Sequence, residues 1–329
     1  TNTDRAKSSR KMVVEMLLSD QPGSSISHDR SSHFWDMAEQ NEITESRLPK
    51  IERDRVPLLD DSHLAMRVNL DACIQCGLCV RACREVQVND VIGMSGRGHD
   101  AYPTFDLADP MGDSTCVACG ECVQACPTGA LMPASVLDDK QIGDSADFDC
   151  EVKSVCPFCG VGCQVSLKVK DKRVKFVEGI NGPANEGRLC VKGRFGFDYI
   201  HHEHRLMKPL IRRDDAPEKG LNVDPYNWQE FFREVTWDEA LDFAAGGFKV
   251  LKEKVGGASV AGFGSAKCTN EEAYLFQKFI RQGFGHNNVD HCTRLCHASS
   301  VAALMENVGS AAVTATFNEI ENADVAVVI

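Results

Sequence analysis

The sequence predicts a multidomain chain that combines α+β and α/β architecture, and three observations carry this prediction. A cysteine-rich segment is duplicated within residues 66–150, and a third cysteine group surrounds a β-hairpin pattern within residues 151–215. From residue 216 onward, helix and strand patterns alternate. A duplicated segment indicates a repeated structural unit, and alternating helices and strands are typical of a parallel sheet with crossover helices. We therefore predict two cysteine-rich modules followed, over residues 216–329, by the start of an α/β domain.

Length and composition limit the class of protein. The chain has 329 residues, of which 43% are hydrophobic and 26% charged, and chains of this length usually divide into several domains. Its 16 cysteines fall below the roughly 8–10% that marks small disulfide-stapled secreted proteins. The formal net charge of −12 disfavours nucleic acid as a partner, because binding to phosphates needs a basic face. No apolar run approaches the roughly 18 residues of a membrane span, so none is predicted.

Residues 1–65 are predicted to form a polar linker with one helical segment after a missing N-terminal domain. Met12 to Leu18 has the spacing of a short amphipathic helix. The chain starts without Met or the apolar core of a signal peptide, so we expect it to begin inside a longer polypeptide. We also expect residues 324–329 to form a buried strand at the other end. His28 and His33 are expected to be solvated, since no cysteine lies near them.

Each copy of the duplicated segment carries four cysteines with the spacing C-x2-C-x2-C-x3-C. The first run is Cys73, Cys76, Cys79 and Cys83, and the second is Cys116, Cys119, Cys122 and Cys126. Four soft thiolates are the ligands that a 4Fe-4S cube needs. Zinc is the alternative, but zinc sites take their ligands as two separated pairs rather than as one run. The spacing therefore predicts a two-cluster ferredoxin-like module over residues 66–150.

The fourth cysteine of each run is predicted to serve the other cluster, as it does in two-cluster ferredoxins. The predicted first set is Cys73, Cys76, Cys79 and Cys126. The predicted second set is Cys116, Cys119, Cys122 and Cys83.

The third cysteine group has three local members and a remote one. Its members are Cys156, Cys159, Cys163 and Cys190. Val165, Leu167 and Val169 alternate with polar residues in the interval, which predicts a β-hairpin that returns the remote cysteine to the others. We predict a small β-rich domain with one 4Fe-4S cluster over residues 151–215, and zinc remains the alternative for this group taken by itself.

Two capping boxes mark helices in the last segment. Thr236 and Glu239, and again Thr269 and Glu272, stand three residues apart ahead of apolar residues at helical spacing. Residues 259–263 predict a strand between the two helices. The G-x-G within this strand lacks the third glycine of a dinucleotide fingerprint and is a weak signal by itself.

With these motifs together, the chain resembles the molybdopterin oxidoreductases, which carry a bis(molybdopterin guanine dinucleotide) cofactor on molybdenum or tungsten. The resemblance lies in CPFCGVGC, which begins at Cys156, and in CVKG, which begins at Cys190. Because a two-cluster module precedes them, the chain most resembles the front part of the α subunit of cytoplasmic NAD-dependent formate dehydrogenases. The resemblance implies that residues 216–329 begin an α/β parallel-sheet domain that binds molybdopterin.

The resemblance implies catalytic roles for three residues. Formate dehydrogenases place a cysteine or selenocysteine followed by histidine at the metal, and Cys296 and His297 match this pair, whereas similar nitrate reductases tend to have Met after the cysteine. Cys296 is thus implied to bind molybdenum or tungsten, and His297 to relay the proton. Lys192 is implied to lie between a cluster and a pterin. Without the resemblance, Cys296 is a buried thiol, His297 a structural histidine and Lys192 a surface lysine.

The resemblance also implies contacts with the guanine dinucleotide, whose phosphates suit amides at the start of a helix. The implied residues are Gly264, Ser265, Lys267, Asn270 and Glu271. Related subunits have a further His/Cys-ligated cluster near residues 20–40, where this sequence has no cysteine, so we predict none there. The resemblance leaves open a 2Fe-2S domain ahead of Thr1 in the full subunit of this family. Cys150, Cys268 and Cys292 are expected to be ordinary thiols.

The implied activity is the oxidation of formate to carbon dioxide in the cytoplasm. Three 4Fe-4S clusters are implied to pass the electrons to an iron-sulfur β subunit that binds FMN and NAD. Two alternatives remain open. One is another molybdopterin oxidoreductase, such as an assimilatory nitrate reductase. The other is a non-catalytic iron-sulfur subunit like that of respiratory complex I.

Overall fold

A computed structural model of the chain describes residues 2–50, 59–220, 224–312 and 314–327. The chain divides into two compact units, Thr1–His201 and His202–Ile329. The first unit contains the three cysteine groups, and the second contains alternating helices and strands. The predicted combination of a ferredoxin-like module, a β-rich domain and the start of an α/β domain is confirmed.

The first unit opens with two packed helices. Helix α1 is Asp4–Leu18 and begins where the Thr3 hydroxyl accepts a hydrogen bond from the Ala6 amide, and helix α2 is His33–Gln40. Their contact buries an apolar cluster that consists of Val14, Leu18, Phe34, Ala38 and Ile43.

Residues 27–34, predicted as a linker, instead bind the chain that follows Cys126. The Phe34 amide donates to the Pro127 carbonyl at 2.8 Å, and His28 Nδ1 lies 2.7 Å from the Gly129 carbonyl oxygen. The expectation that His28 is solvated is wrong, since its side chain is only 1% exposed and burial lowers its pKa. The prediction failed because these contacts join polar groups about a hundred residues apart, which leaves no periodic apolar pattern.

The ferredoxin-like module is built from short elements around its cysteine loops. In chain order they are strands β1 Leu59–Asp60 and β2 Met66–Asn69, helix α3 Leu78–Arg81, strands β3 Ile92–Ser95 and β4 Tyr102–Phe105, helix α4 Glu121–Gln124 and strand β5 Leu131–Pro133. Strands β1, β2 and β5 form one antiparallel sheet, and β3 pairs with β4. The core under the sheets is centred on Met66, Met111 and Leu131 and includes several of the cysteines.

The third cysteine group sits on a three-stranded antiparallel sheet. Its strands are β6 Cys150–Val155, β7 Gln164–Lys170 and β8 Arg173–Gly179, and helix α5 is Val191–Phe195. The predicted hairpin of β7 and β8 is confirmed. Its two turn residues, Asp171 and Lys172, both have positive φ, which is the conformation of a type I′ hairpin turn.

The second unit contains the predicted helices. Its elements are strands β9 Leu210–Arg212 and β10 Phe232–Glu234, helix α6 Trp237–Val255, strand β11 Gly262–Gly264, helix α7 Asn270–Lys278, strand β12 Val289–His291 and helices α8 Thr293–Cys296, α9 Ala298–Val308 and α10 Phe317–Glu321. Both predicted N-caps are confirmed, because Thr236 accepts from the Glu239 amide and Thr269 forms a full capping box with Glu272.

The predicted parallel arrangement is confirmed, because β11 and β12 pair in parallel and helix α7 connects them along the chain. The strand predicted at residues 324–329 is not formed over its described part, 324–327, where Val325 and Val327 are each 80% exposed. A run of valines needs a neighbouring strand to bond its backbone, and the described part of the second unit places none beside it.

Candidate functional site

The two cysteine loops of the ferredoxin-like module have the same backbone conformation. Gln75 and Gly77 in the first loop have φ of 52° and 72°, and Ala118 and Gly120 in the second have 55° and 70°. In each loop the residue before the second cysteine donates its amide to the first sulfur, at 3.4 Å from Gln75 to Cys73 Sγ and 3.3 Å in the second loop. The sequence repeat is therefore a structural repeat, in which amides turn inward toward sulfur.

The first predicted set of thiols is close together. Burial first, and then the charges of Cys126, Cys73 and Cys76, together raise the pKa of the Cys79 thiol to about 12. The pKa of Cys76 is likewise raised by burial and by Cys126. These four cysteines line one cavity at the start of α3.

The second predicted set is also close together. Burial raises the pKa values of Cys116 and Cys119, and the charge of Cys83 raises both. Burial first, and then the charges of Cys119 and Cys116, raise the pKa of Cys122 well above its usual value. Each set thus combines three cysteines of one run with the last cysteine of the other.

Each set offers four soft sulfur ligands to a cationic cluster. Buried thiolates repel one another and are disfavoured by burial, whereas bound metal cations reverse both effects and deprotonate the thiols outright. Among the described residues, no three His, Cys, Asp or Glu side chains converge on a position for one metal ion. A cube spreads its four thiolates over four irons, whereas zinc gathers four ligands around one ion.

Three polar groups that the sequence analysis did not single out contact sulfurs of these sets. The Val91 amide donates to Cys83 Sγ at 3.3 Å, and Asn89 Nδ2 lies 3.9 Å from Cys119 Sγ. Thr128 Oγ1 lies 3.7 Å from Cys126 Sγ. Hydrogen bonds to ligand sulfurs tune the potential of an iron-sulfur cluster. A polar residue a few positions after the fourth cysteine of each run is the only sequence signal for them.

The third set is assembled around the β6–β7 loop and the start of α5. Burial raises the pKa of Cys163, and the charges of Cys156, Cys159 and Cys190 raise it further. Cys190 is the residue before α5, so the hairpin does bring the chain back to the loop. Lys192 lies on the same short helix with an exposed side chain.

Arg194 is the polar residue of α5 that the sequence analysis missed. Its side chain is 3% exposed, and its Nε donates to the Cys119 carbonyl at 2.7 Å. The guanidinium also binds Gln124 Oε1 at 2.6 Å and the Glu121 carboxylate at 3.0 Å. Burial lowers its pKa, and the charges of Glu121 and Cys119 oppose this shift.

Gly120 and Gly77 provide a matched test of this contact. Both glycines have left-handed φ, but a Cβ on Gly120 would overlap the Arg194 side chain, whereas a Cβ on Gly77 meets no atom within 4 Å. We expect Gly77→Ala to lower the free energy of unfolding by about 1–2 kcal/mol, because alanine disfavours the left-handed backbone conformation. Gly120→Ala should lower the free energy of unfolding by about 1–3 kcal/mol more, because its methyl group also overlaps the Arg194 side chain. Denaturant unfolding followed by cluster absorbance measures the difference, and equal losses would contradict the close approach.

The second unit has a cavity of about 520 Å³ at the carboxyl ends of β11 and β12. In open parallel sheets this edge is where ligands bind. Of the residues predicted to contact the dinucleotide, Gly264 and Ser265 line the cavity. Lys267, Asn270 and Glu271, which follow them in the chain, are not among its lining residues. The other lining residues, which no sequence motif indicated, are Phe263, Cys268, Glu272, Ala273, Phe276, Gln277, Val289, Asp290 and His291.

Cys296 and His297 follow this edge of the sheet directly. Cys296 ends α8, and its thiol is exposed, so the alternative of a buried packing thiol is wrong for this structure. The side chain of His297 is exposed as well. Cys292 Sγ accepts the Ala266 amide at 3.2 Å and so joins the loop after β11 to the segment that carries Cys296.

Three protein families match consecutive parts of the chain. Residues 72–130 match the 4Fe-4S dicluster domain, residues 150–202 the molybdopterin oxidoreductase Fe4S4 domain, and residues 205–329 the molybdopterin oxidoreductase domain. The chain belongs to the molybdopterin oxidoreductase family, and its first unit carries iron-sulfur domains of the 4Fe-4S type. Among the described residues, no helix is both long and apolar enough to cross a membrane.

Two curated relatives align with most of this chain. A Staphylococcus haemolyticus protein named "Putative formate dehydrogenase" is 32% identical over 330 residues, covering 90% of this chain and 31% of that protein. The Bacillus subtilis protein named "Probable oxidoreductase YjgC" is 33% identical over 305 residues, covering 82% of this chain and 29% of that protein. The chain therefore spans about a third of the length of these relatives.

A solved structure of an NAD+-reducing NiFe-hydrogenase in its H2-reduced state is 26% identical, covering 40% of this chain and 57% of that chain. Its TM-score of 0.35 is too low to carry an argument about the fold.

Proposed function

We propose that this chain is the electron-transfer end and the start of the catalytic domain of a formate dehydrogenase. The observation that carries the proposal is the exposed Cys296-His297 pair, which directly follows the parallel strands in a chain with three clustered thiol sets. The name of the relative from Staphylococcus haemolyticus supports the same choice, and the family match supports a molybdopterin oxidoreductase.

The proposed reaction converts formate to carbon dioxide, a proton and two electrons. A bis(molybdopterin guanine dinucleotide) centre with molybdenum or tungsten would supply the two-electron redox chemistry, and the 4Fe-4S clusters would carry single electrons. Cys296 is proposed to hold the metal through its thiolate. His297 is proposed to accept the proton at an imidazole nitrogen and pass it to solvent, since its ring is exposed and histidine is the side chain that most often acts as a general base.

The remaining predicted residues are proposed to hold the cofactors. The three thiol sets bind one 4Fe-4S cluster each. Lys192 donates hydrogen bonds to a pterin through its exposed ammonium group. The loop after β11 and the start of α7 bind the guanine dinucleotide, and of its residues Gly264 and Ser265 have the best support, because they line the cavity.

The electrons are proposed to leave the first unit for a partner. We propose a cytoplasmic β subunit with iron-sulfur clusters that binds FMN and NAD, as the resemblance to NAD-dependent formate dehydrogenases implies. FMN accepts electrons singly and delivers them as a pair, which suits an exit through one-electron clusters.

The full-length protein, purified without oxygen, tests the proposal. We expect molybdenum or tungsten at about one atom per chain, and bleaching of the iron-sulfur absorbance when formate is added. Absence of both metals would favour the non-catalytic subunit. Clusters that formate leaves oxidised, but that nitrate reoxidises after chemical reduction, would favour a nitrate reductase.

A further inference from the structure

Arg194 places a buried positive charge where the second and third thiol sets meet. Its Nε binds the carbonyl of Cys119, a member of the second set. Its own amide donates to the carbonyl of Cys190, a member of the third set, at 3.1 Å. Arg194 therefore bonds to a residue of each set, through its side chain to Cys119 and through its backbone to Cys190, both within the first unit.

Side-chain hydrogen bonds of Gln124 and Gln87 flank the contact between Arg194 and Cys119. Gln124 Oε1 accepts from Arg194 and also from the Gly179 amide at 3.0 Å, and its Nε2 donates to the Gly179 carbonyl at 3.2 Å. Gln87 Nε2 donates to the Leu189 carbonyl at 3.3 Å. These bonds tie the ferredoxin-like module to the β-rich domain on both flanks of the arginine, so the separation of the two thiol sets is fixed.

Arg194 also borders the first thiol set. A cavity of about 200 Å³ is lined by Arg194, Gln124 and Cys126, and Cys126 belongs to the first set. Arg194 therefore shares the lining of a cavity with one cysteine of the first set.

Stability alone does not explain this buried ion pair. Glu121 and Arg194 are 13% and 3% exposed, and burying such a pair costs desolvation energy that their attraction often fails to recover. A well-packed apolar pair is frequently as stable. A fixed cation beside thiolates has a separate effect, because it stabilises additional negative charge there.

We propose that Arg194 is a positioning residue of the electron relay, which fixes the separation of the second and third clusters and stabilises the reduced state of the second. This inference rests on the proposed function only in requiring the three thiol sets to hold iron-sulfur clusters. In the transfer step, one electron leaves the third cluster, which is oxidised, and enters the second, which is reduced. No bond forms or breaks, and no proton moves.

Four variants of the full-length protein test the inference by redox titration with dithionite and low-temperature EPR. We expect Arg194→Met to make reduction of the second cluster about tenfold less favourable. For one electron this corresponds to a midpoint potential about 59 mV lower. Glu121→Gln should shift it in the opposite direction, because it removes a negative charge beside the same cluster. Arg194→Lys should restore most of the wild-type value. Arg188→Met removes an arginine whose ion pair with Glu186 is exposed, and it should leave the potential unchanged.

Each outcome separates the inference from the proposed function. If the Arg194→Met and Glu121→Gln proteins keep all their iron and the potential of the second cluster does not move, the inference is overturned. If Arg194→Met loses the second cluster, the isosteric Glu121→Gln and the charge-conserving Arg194→Lys decide in its place. Wild-type protein without iron-sulfur clusters would instead overturn the proposed function itself.

Discussion

Replacing Cys296 with serine is expected to abolish formate oxidation and to leave all three iron-sulfur EPR signals in place. Cys296 is exposed at the end of a short helix in the second unit, so the change leaves the packing of both units intact. Serine at neutral pH offers a hydroxyl where the metal needs a soft thiolate. Loss of a group that only supports a metal ligand already costs about 10–100-fold, so loss of the ligand itself should cost more than that.

Cys292→Ser is the matched control for this prediction. It lies one helical turn before Cys296, its thiol is also exposed, and its Sγ accepts the Ala266 amide, which a serine hydroxyl can also accept. We expect this variant to keep formate oxidation within a few-fold of wild type. Formate assays and metal analysis on both variants provide the measurement. Activity that survives in Cys296→Ser, with the metal still bound, would remove Cys296 from the metal site.

The parts of the fold that the sequence predicted are those that consecutive residues determine. The capping box at Thr269 needs only its own side chain and Glu272, three residues on. The type I′ turn at Asp171 and Lys172 needs two adjacent residues that tolerate positive φ. The duplicated cysteine spacing likewise produced two loops of the same conformation.

The parts that the sequence did not predict depend on contacts between distant residues. His28 appeared solvated because its neighbours are polar, yet its ring binds the Gly129 carbonyl from 101 positions away. Arg194 binds Cys119 across 75 positions, and no local pattern distinguishes it from a surface arginine. Exposure of Cys296 was equally hidden, since a lone cysteine is most often buried.

The exchange of ligands that we propose between the two cysteine runs leads to the second prediction with a large expected effect. Cys126→Ser is expected to eliminate the cluster of the first run, although Cys126 belongs to the second run. Its charge acts on Cys76 and Cys79, and it lines the same cavity as they do. Cys83 acts in the same way on the second set, in which it raises the pKa values of Cys116 and Cys119.

Grouping the variants by the signal they lose tests the exchange without prior assignment of any EPR signal. We expect Cys126→Ser and Cys76→Ser to lose one signal, and Cys83→Ser and Cys119→Ser to lose another, each with the iron of one cube. Cys150→Ser, at an exposed thiol outside all three sets, should keep every signal. If Cys126→Ser instead loses the same signal as Cys119→Ser, each run binds its own cluster, and the crossed ligand sets are wrong. The crossed result would also explain why the chain after Cys126 is held by Phe34 and His28, since that loop must reach the cluster of the other run.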